Sequence, residues 1–475
     1  MGSEIQSWRD EVAELLAAFA LAPRAADADL EGAKKVLIDT LAVGFGAFDH
    51  PAARIARSYL EHFPSQRDGV VIWGTARRAP PDKATLVNGV LLRCYDYNDV
   101  LVGRLGGGHP SDMVAALVSI ADWRGSSGRD LLTALAVGYE VAAALYNVVP
   151  AEAAGWDHAN VSALGAVAGA ARLLGLNAGQ AAEAFGIAAI QHIQSNEIES
   201  SAVNRRGDLT MWKRFHGADI MRHAVDACLL ALSGAEGAVR PFQGKLGFLA
   251  VFGAQGDPLP LLRERLHPGN PMLATARTDM KRWPVGSRGQ SAIRAAIEAR
   301  RKLPDGARIA AVRVATEEGV YDHLLRIRTD PWRPQSRETA DHSLPYIVGT
   351  AVLDGFVNVS SFDLDKVHDA DRARFIAEKV AIEVDPNLTA AGAGTSRNTS
   401  RVEIVTEDGG VYSGAPLPGP GHHDNPFSLD DLSEKFHENA DALLGYDRVD
   451  RIMSTVYSLD EMNSSHELTE QFTIE

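Results

Sequence analysis

Alanine, leucine and other small or apolar residues recur at helical spacing from residue 4 to about 265 of this chain. The segment SGRDLLTALAVGYEVAAALYNVV begins with Ser127 and has Asp130 three residues later, which is the pattern of a capped helix start. Residues 158–176 and 177–192 are rich in alanine and glycine, which suits closely approaching helices, and Asn177 predicts a second cap. Because a helix that is apolar on most faces is a buried helix, this part of the chain predicts a large all-helical domain.

The pattern changes after the LHPGNP segment at residues 266–271. Branched residues alternate with others in residues 308–316, as they do in strands, and residues 400–414 predict two strands that turn at Asp408-Gly409. Helical patterns lie between these strands, and the Pro- and Gly-rich residues 414–428 predict a linker. The fold class that follows is mainly α with an α+β part.

We therefore predict three parts of the chain. Residues 1–268 form a large all-helical domain, and residues 269–413 form a smaller α+β lid domain. Residues 414–475 form a linker and C-terminal helices that return to the helical domain.

Composition excludes several classes of function. With 475 residues, 45% of them hydrophobic and 23% charged, the chain has the composition of an ordinary globular protein. Its net charge of −15 argues against a nucleic-acid surface and an anionic membrane. The N-terminus resembles an amphipathic helix rather than a secretory signal, so we expect a cytoplasmic protein. Two cysteines are too few for a disulfide framework or an iron–sulfur cluster.

The segment CYDYNDVLVGRLGGGHPSDM (94–113) places titratable groups beside a glycine run. Asp96 and Asp99 are three residues apart, and His109 follows three glycines and precedes a proline. A helix is predicted to begin near Ser111 or Asp112, so His109 would lie beside a helix N-terminus, a position that suits an anionic ligand. The alternative is a solvated loop in which one of the two aspartates caps a neighbouring element.

Two further segments carry cations. Residues 206–224 place Lys213, Arg214 and His216 on an otherwise apolar helix, which is either a basic solvated face or part of a site. Residues 279–291 place Lys281 and Arg282 before a turn and a helix start. The VGSRG sequence in that segment lacks the first glycine of a nucleophile elbow, which argues against a serine hydrolase.

Two histidine-containing segments complete the set of candidates. His342 precedes Tyr346 by four residues, and Pro345 is predicted to interrupt the helix between them. The GHHD sequence at residues 421–424 lies in the predicted linker, and with no further ligands nearby in the sequence we interpret it as surface rather than as a metal site.

The order and spacing of these segments resemble the MmgE/PrpD family, which includes 2-methylcitrate dehydratase, cis-aconitate decarboxylase and iminodisuccinate epimerase. The resemblance covers nearly the whole chain, through residues 95–141, 211–225, 280–284, 340–355 and 408–436. It implies a large helical domain built from both chain ends, a smaller α+β lid, a homodimer, and no metal or organic cofactor. The active site would lie in the cleft between the domains.

The resemblance also implies roles for individual residues. Asp96 and His109 match the family's D-[FY]-x-D aspartate and HP[SG] histidine, Lys213 and Lys281 match its two substrate-facing lysines, and Tyr346 matches its HSxxY tyrosine. We therefore expect Asp96, His109, Lys213 and Tyr346 to be catalytic. We expect Lys281 to bind the substrate together with three neighbouring candidates, Arg282, Asp99 and His342.

Two departures from the family's decarboxylases bear on the reaction. The loop between Asp99 and His109 is longer and richer in glycine here. The decarboxylases have a histidine shortly after the K-x-[FW]-P lysine, where this chain has Val285-Gly286. The second departure argues against decarboxylation.

The hypothesis is a hydro-lyase that removes a proton beside a carboxylate and expels a β-hydroxyl as water. Lys213 and Lys281 would stabilise the developing enolate charge, and Asp96 would orient His109 for proton transfer as either base or acid. Tyr346 would protonate the leaving hydroxyl. A decarboxylase and an epimerase or isomerase of a substituted dicarboxylate remain alternatives, and a helical scaffold or binding protein is the non-enzymatic one.

Overall fold

The computed structural model describes residues 10–23, 30–191, 193–200 and 209–474. It confirms the predicted fold class, because helices dominate and a mixed four-stranded sheet provides the α+β part. The start of the predicted N-terminal helix, residues 4–9, lies outside the described residues. Of the helices that the structure describes, none combines the length and apolar character that crossing a bilayer requires.

Ten helices of seven residues or more lie in the described part of the chain before residue 270. They are α1 (Glu11–Leu21), α2 (Leu30–Gly46), α3 (Pro51–Tyr59), α4 (Pro81–Arg93), α5 (Asp112–Arg124), α6 (Gly128–Tyr146), α7 (Ala159–Leu174), α8 (Ala178–Gln191), α9 (His216–Leu232) and α10 (Leu259–Arg265), with single turns at Glu197–Ser200 and Phe248–Val251. Two small hairpins also occur here, β1 (Val70–Val71) with β2 (Arg78–Ala79) and β3 (Leu101–Val102) with β4 (Gly107–Gly108). The prediction of a purely helical region was wrong in this detail, because two connecting loops fold back and pair with themselves.

Local signals in the sequence fix several of these helices. Ser127 caps α6 by accepting a hydrogen bond from the Asp130 backbone amide, and Asn177 accepts one from the Gln180 amide. Both predicted caps are confirmed. A Cβ atom added to Gly138 would lie 2.8 Å from the carbonyl oxygen of Gly165. Helices α6 and α7 therefore pack backbone against backbone, as their small residues predicted.

The second part of the chain contains the sheet. Its elements are α11 (Gln290–Arg301), β5 (Ile309–Thr316), α12 (Leu344–Asp354), α13 (Ala370–Lys379), β6 (Val380–Val384), α14 (Pro386–Gly392), β7 (Ser400–Thr406) and β8 (Val411–Gly414), with single turns at Glu318–Tyr321, Arg337–Ala340 and Leu364–Val367. The strand order is β6-β5-β7-β8, with β5 parallel to β6 and the other pairs antiparallel. The predicted turn is confirmed, because Gly409 has a φ of 90° between β7 and β8.

The C-terminal helices α15 (Leu429–Leu444) and α16 (Tyr446–Tyr457) and the single turn His466–Thr469 follow the sheet. Buried apolar residues form two clusters: a larger core from residues 12–280 and 427–472, and a smaller core from residues 285–404. The last helices thus pack with the first ones, and α15 contacts α2 directly. The domain bounds that we drew from the sequence stay predictions.

Two local predictions near the candidate residues were wrong. Lys213 lies on a separate 3₁₀ turn, Met211–Arg214, and α9 begins only at His216. Pro345 does not interrupt a helix, because α12 begins at Leu344 with Ser343 as its N-cap. A proline is well tolerated in the first turn, where its missing amide has no intrahelical partner.

Candidate active site

A cavity of about 380 Å³ lies between the two cores. The β3–β4 hairpin, the loop before α7 and the 3₁₀ turn of Lys213 line it on the side of the larger core. Residues 286–288, 323, 327, 342, 395, 396 and 398 line it from the other side. The titratable groups in its wall include Asp96, His109, His158, Lys213, Lys281 and His342. Five of the eight candidates from the sequence are in this wall.

Asp96 is the most highly connected of these residues. Its Oδ1 accepts a hydrogen bond from Lys281 Nζ at 2.7 Å, its main-chain oxygen accepts one from the same ammonium at 2.6 Å, and its Oδ2 lies 2.7 Å from His342 Nε2. Burial alone would raise the pKa of Asp96, but the charges of Lys281 and His342 outweigh it and hold the pKa well below its usual range. Asp96 is therefore ionised across the physiological pH range.

The backbone at Asp96 is held in an uncommon conformation. Its φ is 47°, in the left-handed region that few residues other than glycine adopt. Surrounding contacts must maintain such a conformation at a cost in free energy.

His109 presents an unprotonated nitrogen to the cavity side. Its Nδ1 lies 2.5 Å from the carbonyl oxygen of Asp99, which can only accept, so Nδ1 carries the proton and Nε2 keeps its lone pair. Burial, together with the nearby charges of Arg93 and Lys281, holds the pKa of His109 well below its usual value. The imidazole is thus neutral at pH 7 and has the tautomer of a base.

Asp96 does not make the predicted hydrogen bond to His109. The distance from His109 Nε2 to Asp96 Oδ1 is 3.9 Å, because the Asp96 carboxylate is engaged by Lys281 and His342. The tautomer of His109 is instead fixed by the Asp99 carbonyl. The carboxylate remains close enough to stabilise an imidazolium electrostatically.

His342 connects the cavity wall to a series of buried charged side chains. Its Nε2 faces Asp96 and its Nδ1 faces the carboxylate of Asp341, which pairs with Arg214 at 3.0 Å. Burial would raise the pKa of Asp341, but the charges of Arg214 and His342 lower it. A Cβ atom on Gly286 would lie 3.3 Å from the His342 ring, so the ring occupies the space beside this glycine.

Three predicted site residues point away from the cavity. The Tyr346 hydroxyl donates to the Ser361 carbonyl at 2.8 Å, and burial raises its pKa to about 12. The Arg282 guanidinium pairs with Glu434 and Glu438 and lines a different cavity of about 1190 Å³. Tyr346, Arg282 and the third residue, Asp99, are all missing from the wall that the described residues form around the 380 Å³ cavity.

The third of them is Asp99. Its carboxylate accepts hydrogen bonds from the Ser111 amide at 3.1 Å and the Tyr139 hydroxyl at 2.7 Å, and burial raises its pKa to about 7. In all three cases the polar group has a partner elsewhere in the chain that the sequence did not indicate.

Sequence reasoning missed His158. It directly precedes α7 and lines the cavity, and its ring centroid lies 4.9 Å from that of His109. Gly108 permits this approach, since a Cβ there would lie 2.7 Å from His158 Nδ1. The available signal was the Asp157-His158 pair at the start of a buried helix, next to which anions are favoured.

Among the residues that the structure describes, two clusters have the residue types of a metal site. Asp157, His158 and His216 form a buried one beside the cavity, and His216 Nδ1 contacts the Lys213 carbonyl at 2.9 Å, which leaves its Nε2 facing Asp157.

Asp279, His422 and His423 form the other. The prediction that the GHHD sequence is a surface segment without nearby ligands was wrong, because Asp279 contacts it. However, His422 Nδ1 accepts from the Asp424 amide, and His423 Nδ1 lies 2.6 Å from Asp279 Oδ1, so internal hydrogen bonds already occupy this cluster.

Comparison with known families accounts for this arrangement of helices and sheet. The MmgE/PrpD N-terminal domain matches residues 14–260, and the MmgE/PrpD C-terminal domain matches residues 283–461. The chain therefore belongs to the MmgE/PrpD family, as its motifs predicted.

Curated relatives cover most of the chain at low identity. It is 26% identical over 465 residues to cis-aconitate decarboxylase of Homo sapiens, which covers 93% of this chain and 90% of the relative. It is 26% identical over 369 residues to 2-methylcitrate dehydratase of Cupriavidus necator, with 75% and 74% covered. For 2-methylcitrate dehydratase of Escherichia coli (strain K12) the identity is 24% over 365 residues, with 74% and 73% covered. These relatives are lyases of two kinds, dehydratases and decarboxylases.

Proposed function

We propose that this chain is a cofactor-independent lyase of a di- or tricarboxylate that acts as a hydro-lyase similar to 2-methylcitrate dehydratase. The observation that carries the proposal is that His109, Lys213 and Lys281, which are distant in sequence, line one cavity of about 380 Å³. This volume suits a small organic ligand. The three side chains supply the base and the positive charge that α-proton removal from a carboxylate requires.

His109 acts as the base in this proposal. Its Nε2 keeps a lone pair because Nδ1 is engaged by the Asp99 carbonyl. Nε2 takes the proton from the carbon beside a substrate carboxylate, and the imidazolium that forms is stabilised by the Asp96 carboxylate 3.9 Å away.

The lysines stabilise the negative charge that develops on the substrate. A lysine about 4 Å from a carboxylate contributes roughly 4 kcal/mol at an effective dielectric of about 20, before desolvation. Lys213 and Lys281 are both almost completely buried, so water screens their charges little. Lys281 also keeps Asp96 ionised. The ionised Asp96 carboxylate in turn stabilises protonated His109, so Lys281 acts on both the substrate charge and the base.

His158 takes the role that the sequence assigned to Tyr346. It faces the same cavity as His109 and transfers a proton to the departing β-hydroxyl, which leaves as water. The electron pair of the broken C–H bond forms the C=C bond, and the pair of the C–O bond leaves with the oxygen. His109 then releases its proton to solvent and His158 takes one up from solvent, so the enzyme is restored.

Decarboxylation is the second candidate, and the human cis-aconitate decarboxylase relative, which matches over 93% of this chain, favours it. Against it, this chain has Val285-Gly286 where the decarboxylases have a histidine, and a Cβ atom at Gly286 would lie 3.3 Å from the His342 ring, so a side chain there would require a small shift of His342. An epimerase would use the same proton abstraction and return the proton to the opposite face.

Proton NMR of the purified protein in D2O with 2-methylcitrate, cis-aconitate and substituted dicarboxylates distinguishes these reactions. We expect loss of water from a hydroxy acid, and we expect His109→Ala to reduce the rate by about 10²–10⁴-fold while the protein remains folded by circular dichroism. Release of CO2, or deuterium incorporation without water loss, would replace the proposal with one of the alternatives. No reaction with any of these acids would contradict the lyase assignment.

We also infer a homodimer without a resident metal, as the family resemblance implies. Sedimentation equilibrium tests the first inference and elemental analysis of the purified protein tests the second. Stoichiometric zinc that is lost in a His216→Ala variant would overturn the metal-free mechanism and assign the metal to the Asp157, His158 and His216 cluster.

A further inference from the structure

Lys435 on the C-terminal helix α15 is completely buried beneath the candidate active site. Its Nζ donates hydrogen bonds to Asp39 Oδ1 at 2.6 Å and to the carbonyl oxygen of Lys281 at 2.8 Å. It also lies 3.4 Å from the carbonyl oxygen of Tyr97 and 4.1 Å from the centroid of the Tyr97 ring. A single ammonium therefore contacts helix α2 and two loop segments that are far apart in the chain.

The two loop segments are the ones that present Asp96 and Lys281 to the cavity. One carbonyl belongs to Lys281 itself, and the other belongs to the residue directly after Asp96. The Tyr97 hydroxyl contacts the Arg282 carbonyl at 2.5 Å, which joins the same segments a second time. The left-handed conformation of Asp96 requires such restraint, because it is disfavoured in isolation.

Stability does not account for this buried charge. Burial raises the pKa of Asp39 and lowers the pKa of Lys435, even though each group faces the other. A carboxyl whose pKa is raised on folding and an ammonium whose pKa is lowered both reduce folding stability at neutral pH. An apolar pair of similar volume generally serves a core at least as well as a buried ion pair does.

We propose that Lys435 is a positioning residue for the reaction, since its ammonium holds the main chain at Tyr97 and Lys281 so that the Asp96 carboxylate and the Lys281 ammonium meet. This inference rests on the proposed function for its catalytic consequence. Its geometric consequence can be measured separately. Loss of the ammonium lets the two segments separate, which weakens the contact that keeps Asp96 ionised.

The test is a pair of variants, Lys435→Met and the double variant Asp39→Asn/Lys435→Met. The double variant removes both charges and so avoids leaving an uncompensated carboxylate in the core. We expect kcat to fall about 10²-fold, as for a misplacement of about 1 Å, with a smaller change in KM. We also expect the acidic limb of the kcat profile to move to higher pH, because Lys281 lowers the pKa of both Asp96 and the base His109, and both pKa values rise when Lys281 moves away.

The matched control is Lys34→Met/Asp460→Asn. Lys34 is another buried lysine, but it lies on α2, and its Nζ pairs with Asp460 at 2.8 Å. Its described contacts do not include the two loop segments that carry Asp96 and Lys281. We expect this control to lose stability while it keeps the kcat and pH profile of the unmodified protein. Wild-type kcat and pH profile in the folded Asp39→Asn/Lys435→Met variant would overturn the proposal.

A crystal structure of the double variant separates this inference from the proposed function. We expect the Asp96 Oδ1 to Lys281 Nζ distance to lengthen from 2.7 Å. An unchanged distance would overturn the positioning role even if the enzyme turned out to catalyse a different reaction. Inactivity of the unmodified protein on all the acids would contradict the proposed function alone.

Discussion

Two aspartates three residues apart in one loop have opposite environments. Asp96 faces Lys281 and His342, which keep it charged, whereas Asp99 faces an amide and a tyrosine hydroxyl in a site whose burial raises its pKa to about 7. The difference arises because cations surround only the first carboxylate. At the scale of single residues, the partners of a carboxylate rather than its residue type therefore decide its charge state.

The two aspartates can be distinguished by matched asparagine variants. We expect Asp96→Asn to lower kcat at least about 100-fold, because it removes a preorganised charge from the site. Asp99→Asn should keep kcat within about threefold, since the amide can still accept from Ser111 and the backbone carbonyl that orients His109 is unchanged. Steady-state kinetics measure both effects. Equal losses in the two variants would show that the Asp99 carboxylate takes part in the chemistry.

The lowered pKa of His109 predicts a pH dependence. A base loses activity when it is protonated, and here protonation requires a pH well below the usual histidine pKa of about 6.5. We therefore expect kcat/KM to stay constant as the pH falls from about 7.5 to about 6, and to decline only below that range. The pH–rate profile provides the measurement. A decline centred near the ordinary histidine pKa would contradict the buried, neutral His109.

The lowered pKa of His109 also makes the folding stability depend on pH. Because the folded state does not bind this proton while the unfolded state does, His109 makes the protein less stable as the pH falls below about 6.5. His109→Gln cannot titrate, so its stability should depend less on pH over that interval. Urea unfolding at several pH values measures the difference.

At the scale of elements, the β3–β4 hairpin positions the loop of His109 at the cavity. Its strands pair Leu101 with Gly108 and Val102 with Gly107, directly before His109. Gly108 lies against the Tyr146 hydroxyl and the His158 ring, so no side chain fits between them. The glycines thus serve close packing of the hairpin on α6 and on the start of α7.

Gly108→Ala tests this packing. The added methyl group would collide with Tyr146 and His158, so we expect kcat to fall about tenfold or more as the histidine is displaced. Gly319→Ala is the control, because a Cβ there meets nothing within 4 Å. Both variants should be compared by kinetics and by thermal unfolding. Unchanged kcat in Gly108→Ala would show that the hairpin adjusts without moving His158.

At the scale of the whole molecule, the cavity is the place where the two hydrophobic cores meet. Lys281 directly follows Met280, a residue of the larger core, whereas His342 lies within residues 285–404, which form the smaller core. A ligand bound between them contacts both. The free energy of ligand binding therefore adds to the unfolding free energy of both cores together.

We accordingly expect a tricarboxylate such as citrate to raise the unfolding temperature. At about 100 times its Kd a ligand contributes about 2.7 kcal/mol to stability. Lys213→Met should abolish the shift, while Lys302→Met, at a half-exposed lysine on the other cavity, should keep it. Thermal scans at constant ionic strength make the comparison. The same shift in Lys213→Met would place the anion elsewhere, and no shift in the unmodified protein would favour a scaffold.

Short-range signals in the chain were enough to predict several of its structural elements. Ser127 and Asn177 cap helices, Asp408-Gly409 turns a hairpin, and small residues bring α6 and α7 together, because each of these signals acts over a few residues. The family motifs likewise predicted roles for His109, Lys213 and Lys281; the structure brings the three to one cavity, and their catalytic roles stay predictions.

Which polar groups meet depends instead on how distant parts of the chain pack together. It turned Tyr346 and Arg282 toward other partners, brought His158 beside His109, and placed Lys435 of the last helices under a loop more than three hundred residues earlier. The physical reason is that a buried polar group must find a partner wherever packing leaves one. That partner depends on long-range contacts between the cores, which no local pattern in the chain contains.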